Sequence, residues 1–362
     1  YRVLELTTDH VVVHGKIQGW WANSSFEQLA EHKWGPDHAY INGTWNTLFA
    51  TVGQANALLA SLESSELESA ENAKAELRAL RAYAYFYLMD LFGDVPVFTA
   101  PKVDNNDLPK QNTRDEVFNF VEEELLVAAE ILPSQNDVGS EYYGRLTKEA
   151  VYSLLAITYL NAEVFTGTPM YDKAEDYYQQ LKNTTNNQEN RLEAMRGLLR
   201  SQYQLKKWTQ ALENAKDLAA AKGSSADDRA LANMAIAKSH QVNGVYDLAI
   251  THYKTVVSLN KAALAAEARY EIANSWLQVD KLAEAEKAAF ETINKSGSYD
   301  YWVTKSYILL GDVFYKQKDY FNAKATFQSV VENTINAELK QEAQTKLNMV
   351  IEAEAKDSKV SG

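Results

Sequence analysis

Apolar residues along this chain recur mostly at spacings of three and four, the mark of helices that bury one face. From about residue 186 onward the pattern runs without a proline, and Ala, Leu, Lys, Glu and Gln dominate. That half reads as wholly helical. The first 170 residues are less regular, with loops rich in Gly and Asn and a short β-prone run, Val11-Val12-Val13. One helix is predicted over 45–62. A longer one, over about 66–92, stops at Gly93-Asp94-Val95-Pro96, where proline removes an amide donor and disfavours helix in the residue before it. Thr113-Arg114-Asp115-Glu116 is a capping box that predicts a helix ending before Pro133. A fourth follows Thr147 and runs to about Val164.

The second half repeats. Aligned on a small residue twelve positions before an alanine, its segments give Leu199/Ala211, Ala237/Ala249, Ala273/Ala285 and Gly311/Ala323, in steps of 38, 36 and 38 residues. Three positions before each alanine stands a large residue: Trp208, Tyr246, Leu282 and Tyr320. Two antiparallel helices approach closely only where small side chains face each other, and a bulky residue opening the second helix wedges the turn. The unit from Leu310-Gly311 through Tyr320 and Ala323 to Phe327 resembles the tetratricopeptide repeat. The resemblance implies an α-solenoid of helix-turn-helix repeats, with a protein partner on its surface. Residues 337–350 keep helical spacing and read as a terminal helix covering the last repeat, and fraying is expected after Glu354.

Charge sharpens the division. The 362 residues carry a net charge of −13, but residues 1–180 hold 12 Lys+Arg against 27 Asp+Glu, −15, while residues 181–362 hold 24 against 22, +2. All six prolines precede residue 170. An acidic total argues against generic nucleic-acid binding, which needs a basic face to displace counterions. No apolar run approaches the ~20 residues of a membrane helix. With no cysteine, there is no disulfide or thiolate chemistry. The start at Tyr1, without methionine or leader, suggests processing or truncation.

The first half carries a second resemblance. Glu76-Leu-Arg78-Ala-Leu-Arg81-Ala-Tyr83-Ala-Tyr85 running on to Phe92-Gly93-Asp94-Val95-Pro96 is similar to the SusD/RagB family of outer-membrane nutrient-binding lipoproteins. So are Thr7-Thr8-Asp9-His10, Trp45-Asn46 followed by Asn56-Ala57-Leu58-Leu59, and Gly144-Arg145-Leu146-Thr147-Lys148. The resemblance covers roughly residues 1–180. It implies a helical scaffold at the bacterial cell surface that captures glycans or peptides for a SusC-like TonB-dependent porin, with the lipidated cysteine upstream of Tyr1. Residues 171–182 fit either family, since Tyr171 and Ala174 match the opening of a repeat's second helix and Ala174 to Ala211 is 37 residues. The chain therefore reads as a composite joined inside a homologous helix pair.

Catalytic patterns are thin: there is no phosphate loop, no Gly-x-Ser-x-Gly and no His-Glu-x-x-His. Asp9, His10 and His14 allow a metal reading, but a site needs three or four converging ligands. Asp104-Asn105-Asn106-Asp107 lacks the glutamate of a calcium loop. Glu122-Glu123-Glu124 reads as a solvated helix face. The aromatics are more informative. Trp20, Trp21 and Trp34 fall in loop-like sequence beside Asn23 and Asp37, and indole faces stack on sugar rings whose hydroxyls take polar partners. Lys16 stands before them and could meet an anionic ligand; Trp45 is expected in the core.

The expected fold is all-α: a SusD-like irregular helical domain over 1–180, a solenoid of about four repeats over 181–354, and a tail over 355–362. The expected function is non-enzymatic capture of glycan or peptide at the outer membrane, with no cofactor. The alternative is a periplasmic or envelope-associated scaffold that binds another protein.

Overall fold

A computed structural model describes residues 24–67, 69–102 and 109–360, and these are almost wholly helical, with 16 α-helices and one minimal two-stranded sheet among them. The chain divides into two compact units, residues 1–186 and 187–362. No helix among the described residues is long and apolar enough to cross a membrane.

Unit 1 contains α1 (Ser24–Ala30), α2 (Ala39–Leu62), α3 (Ala70–Phe92), α4 (Arg114–Ile131), α5 (Lys148–Leu160), α6 (Ala162–Thr166) and α7 (Tyr171–Thr184). Helices α2, α3, α4 and α5 pack in sequence order, and α5 packs on α7. The capping box forms as expected: the Thr113 hydroxyl accepts from the Glu116 amide while Glu116 accepts from the Thr113 amide. The Gly93-Asp94-Val95-Pro96 block also has a local explanation. Gly93 takes φ 77°, which ends α3 at no steric cost. Asp94 then caps the next helix, its Oδ1 accepting from the Arg114 amide at 2.8 Å. Val95 is buried, and Val95 and Pro96 pair antiparallel with Asn112 and Gln111.

Unit 2 is a run of antiparallel pairs: α8 (Gln188–Gln204) with α9 (Trp208–Ala220), α10 (Ala226–Val242) with α11 (Tyr246–Leu259), α12 (Ala263–Gln278) with α13 (Leu282–Lys295), and α14 (Asp300–Lys316) with α15 (Tyr320–Asn333), followed by α16 (Ala337–Val360). The first helix of each pair also packs on the first helix of the next. Each aligned residue and its alanine, from Leu199/Ala211 to Gly311/Ala323, is buried, with Leu199 in the first pair where the later pairs have Ala or Gly. Approach is close at Gly311, where a Cβ would lie 2.6 Å from the Phe327 ring. Trp208, Tyr246, Leu282 and Tyr320 are each the first residue of a second helix.

The turns inside the pairs repeat too. Lys206, Gly244, Asp280 and Lys318, each two residues before the large residue, are left-handed with φ of 55°, 74°, 58° and 62°. The following amide in each case reaches back five residues, as Lys207 N does to Gln202 O at 2.9 Å, closing the first helix with a Schellman turn. Ion pairs tie successive first helices: Arg196 to Asp228, Lys238 to Glu271, and both Lys305 to Glu342 and Lys346 to Asp312. The Arg196 guanidinium and the Ser225 cap hold the Asp228 carboxyl well below the usual carboxylate range.

Some expectations change. The helix foreseen from Trp45 starts at Ala39, and the one foreseen from Glu66 starts at Ala70. The helix expected to reach Val164 breaks at Asn161, between α5 and α6. The terminal helix does not fray after Glu354 but runs to Val360, because its last turns have partners: Tyr320 donates to Asp357 at 2.7 Å, and Lys324 pairs with Glu354. Its Leu339, Ala343, Leu347 and Val350 bury against Phe327.

Candidate ligand-binding site

The candidate aromatic site divides. Trp20, Trp21, Lys16 and Asn23 lie outside the described residues, as do Asp9, His10, His14, the Val11–Val13 run and the 104–107 acidic run. Trp34 and Asp37 are described, in the loop between α1 and α2, and both are exposed.

That loop is built on a small apolar anchor. Phe26 and Leu29 are buried against Tyr40 and Ile41, with the Phe26 and Tyr40 rings stacked at 5.1 Å. His32 ends α1 in the left-handed region, φ 56°, with Lys33 N bonded to Gln28 O at 2.8 Å. A turn over Gly35-Pro36-Asp37-His38 follows, closed by His38 N to Gly35 O at 3.1 Å, and proline suits its second position. The buried His38 ring contacts Ser25 O through Nε2 at 2.9 Å and so ties the turn back to α1. On this frame Trp34 is 41% exposed, and its indole meets the His32 ring edge-on, with centroids 5.5 Å apart. A loop held by buried residues that leaves an indole face and a carboxylate in water has the elements of a sugar platform. Trp45, expected in the core, is half-buried in α2, with its ring against those of Phe49 and Phe92.

The resemblance-bearing residues around Arg78 and Arg81 have a different use. Glu124 was expected on a solvated face and is instead buried. Its carboxylate accepts from Arg81 Nε at 2.8 Å and from Arg78 Nη1 at 3.0 Å. Arg81 also donates to Asn56 Oδ1 at 2.6 Å, and Asn56 Nδ2 donates to the carbonyls of Phe98 and Ala100 at 3.0 and 3.2 Å. Tyr85 completes the clasp, accepting from Phe98 N at 3.0 Å. Burial pushes the Glu124 carboxyl up, against the pull of Arg81 and Arg78, and pushes the Tyr85 phenol up to about 12. The set joins α2, α3 and α4 to the extended segment that follows Pro96. A signal was present in the sequence: Val117, Val121, Glu124 and Ala128 follow the spacing of one helix face, and three of the four are apolar. Glu122 is likewise engaged, accepting from Tyr159 and Lys173, while Glu123 is exposed.

Arg145, in another of the motifs, stacks on the Tyr142 ring at 4.7 Å and pairs with Glu76 at 3.0 Å. It fastens the loop before α5 to α3. Among the described residues no three His, Asp or Glu side chains gather as a metal site.

Comparison with known proteins places the likeness in unit 1. Residues 1–160 match the family model SusD-like_3, described as starch-binding associating with outer membrane. The starch-binding protein SusD of Bacteroides thetaiotaomicron is 32% identical over 173 residues, 48% of this chain and 29% of that protein. A SusD-like protein of Bacteroides ovatus is 30% identical over 126 residues, 33% of this chain and 22% of its own. A SusD-like carbohydrate-binding protein from Bacteroides fragilis, known by crystal structure, aligns with a TM-score of 0.42 at 23% identity over 46% of this chain and 31% of that one. The chain thus spans less than a third of the curated relatives it matches, and its first 160 residues are similar to the SusD-like family.

Proposed function

We propose that the protein is a non-enzymatic binding component of an outer-membrane nutrient uptake system, capturing oligosaccharide for a SusC-like TonB-dependent porin. The observation that carries this reading is the match of residues 1–160 to a family described as starch-binding and outer-membrane associated. The Trp34 indole supports it: a partly exposed aromatic on the same loop as the exposed Asp37, anchored by Phe26, Tyr40 and His38. In this reading Trp34 stacks on a sugar ring, Asp37 accepts from its hydroxyls, and Trp20, Trp21, Lys16 and Asn23, which lie outside the described residues, are further ligand-binding candidates.

The chain is then a composite: a SusD-like domain over about 1–180, continued by a tetratricopeptide-type array over 181–354. The array reading rests on the 36–38 residue recurrence of close helix contacts, and such an array offers a protein partner a continuous surface. The rival reading, a periplasmic or envelope-associated scaffold, puts the whole function there.

Titrating the full chain with malto- and laminari-oligosaccharides, followed by tryptophan fluorescence and calorimetry, tests the glycan reading. A saturable response that Trp34→Ala weakens roughly tenfold is expected, the loss of about 1.4 kcal/mol of stacking and burial. Silence across a broad glycan panel, with protein retention by residues 187–362, would overturn it in favour of the scaffold.

A further inference from the structure

Unit 2 contains a pocket of about 120 Å³ between α11, α12 and α13, lined by Lys254, Val257, Arg269, Ile272, Ala288 and Glu291. The repeat explains its origin. Arg269 stands four residues before Ala273, the position held by Asn233 in the preceding pair; Ala288 stands three after Ala285, the position held by His252. In the preceding pair these two positions satisfy each other, with His252 Nδ1 2.8 Å from Asn233 Oδ1. In the α12/α13 pair a methyl group has replaced the imidazole, and the polar partner across from it is gone.

What faces the gap is cationic. Arg269 Nε is buried without a hydrogen-bond partner among the described residues, and the guanidinium makes a long 3.4 Å hydrogen bond from Nη1 to Ser296 Oγ. A buried donor left unmade is costly, so a group that accepts from it relieves that cost on arrival. Lys254 adds a second cation. The carboxylate that lines the pocket, Glu291, is engaged by Lys295 at 2.8 Å. The room suffices for several waters or one small acidic group.

We propose that this pocket binds the carboxylate of a small ligand, with the Arg269 fork as the donor and Lys254 as the counter-charge. Planar guanidinium matches planar carboxylate with two parallel hydrogen bonds, which a spherical anion cannot reproduce. The site lies wholly within unit 2 and does not depend on the glycan reading of unit 1.

The test follows the Arg269 Nε–Hε resonance of the full chain during titration with sodium acetate, against sodium chloride at equal ionic strength. A saturable shift with acetate and none with chloride is expected. Ala288→His, which restores the residue of the preceding pair, should weaken acetate binding at least tenfold with the thermal midpoint unchanged; Ala288→Leu fills the same space should the histidine variant misfold. Galacturonate, with neutral galactose as its control, separates the sources: binding by both acids assigns sugar acids as ligands, and binding by acetate alone assigns free carboxylates. Equal, unsaturated shifts with acetate and chloride, or an unaltered acetate titration in a folded Ala288 variant, would overturn the proposal.

Discussion

The two units solve the same problem, holding amphipathic helices together, by opposite means. Unit 1 concentrates its specificity at one point: Arg81, Glu124 and Asn56 are buried together, and through them three helices and the segment after Pro96 share one set of hydrogen bonds. Unit 2 spreads it: the small-against-small contact, the left-handed turn and the inter-pair ion bridge recur along the chain. A concentrated network is unforgiving, because each member's partner is left buried when it is removed. A repeated device is locally replaceable, because each pair contacts only its neighbours.

The largest expected effect is therefore in unit 1. Glu124→Ala leaves the Arg81 guanidinium buried without its carboxylate and should cost about 3–5 kcal/mol. Urea unfolding gives the magnitude, and hydrogen exchange places it, with protection lost over residues 39–131. Replacing the pair together, Arg81→Met with Glu124→Leu, should recover part of the loss because no charge is stranded. A cost below about 1 kcal/mol for the single change would mean that the network contributes little and that apolar packing holds unit 1.

A smaller effect, with a sign worth knowing, belongs to Gly311. In an open helix Gly→Ala gains about 0.8–1 kcal/mol from propensity. Here the new methyl would stand 2.6 Å from Cε1 and Cζ of Phe327, a fully buried ring. Overpacking of that kind costs about 1–3 kcal/mol, so Gly311→Ala should destabilise by about 1 kcal/mol net. With Phe327→Leu in the background the sign should turn favourable. A gain from Gly311→Ala alone, read from the urea midpoint, would show that the pairs are held by helix propensity rather than by close approach.

The same contrast decides what was legible in the sequence. A periodic device announces itself, since four positions in register betray each other: Trp208, Tyr246, Leu282 and Tyr320 were placed at helix starts from spacing alone, and they are the first residues of their helices. Local chemistry was legible as well, as in the Thr113 capping box and the stop at Gly93. The Arg81–Glu124 clasp was not, because its members are 43 residues apart and a run of three glutamates looks like a wet surface until its neighbours are known. Of the candidate ligand site, the exposure of Trp34 could not be read from its loop; it depends on how Phe26, Tyr40 and His38 hold that loop down, with the indole edge-on to His32. The extra turns of α16 depend likewise on Asp357 finding Tyr320 from 37 residues away.

The smallest predicted effect tests how equivalent the repeats are. Gly244 and Lys206 occupy the same left-handed turn position in successive pairs, at φ 74° and 55°. Nothing stands within 4 Å of where a Cβ on Gly244 would be, so Gly244→Ala introduces backbone strain and no clash. A left-handed non-glycine residue costs about 1–2 kcal/mol, and the stiffer unfolded chain returns about 0.5–1 of it. Gly244→Ala should thus destabilise by roughly 0.5–1 kcal/mol, and Lys206→Gly should stabilise by a similar amount. Both are within reach of paired thermal melts, where opposite shifts of a few degrees at most are expected for a unit of this size. If the two changes moved stability in the same direction, the turns would not be equivalent, and the α8/α9 pair would be held by contacts of its own rather than by the device it shares with α10/α11.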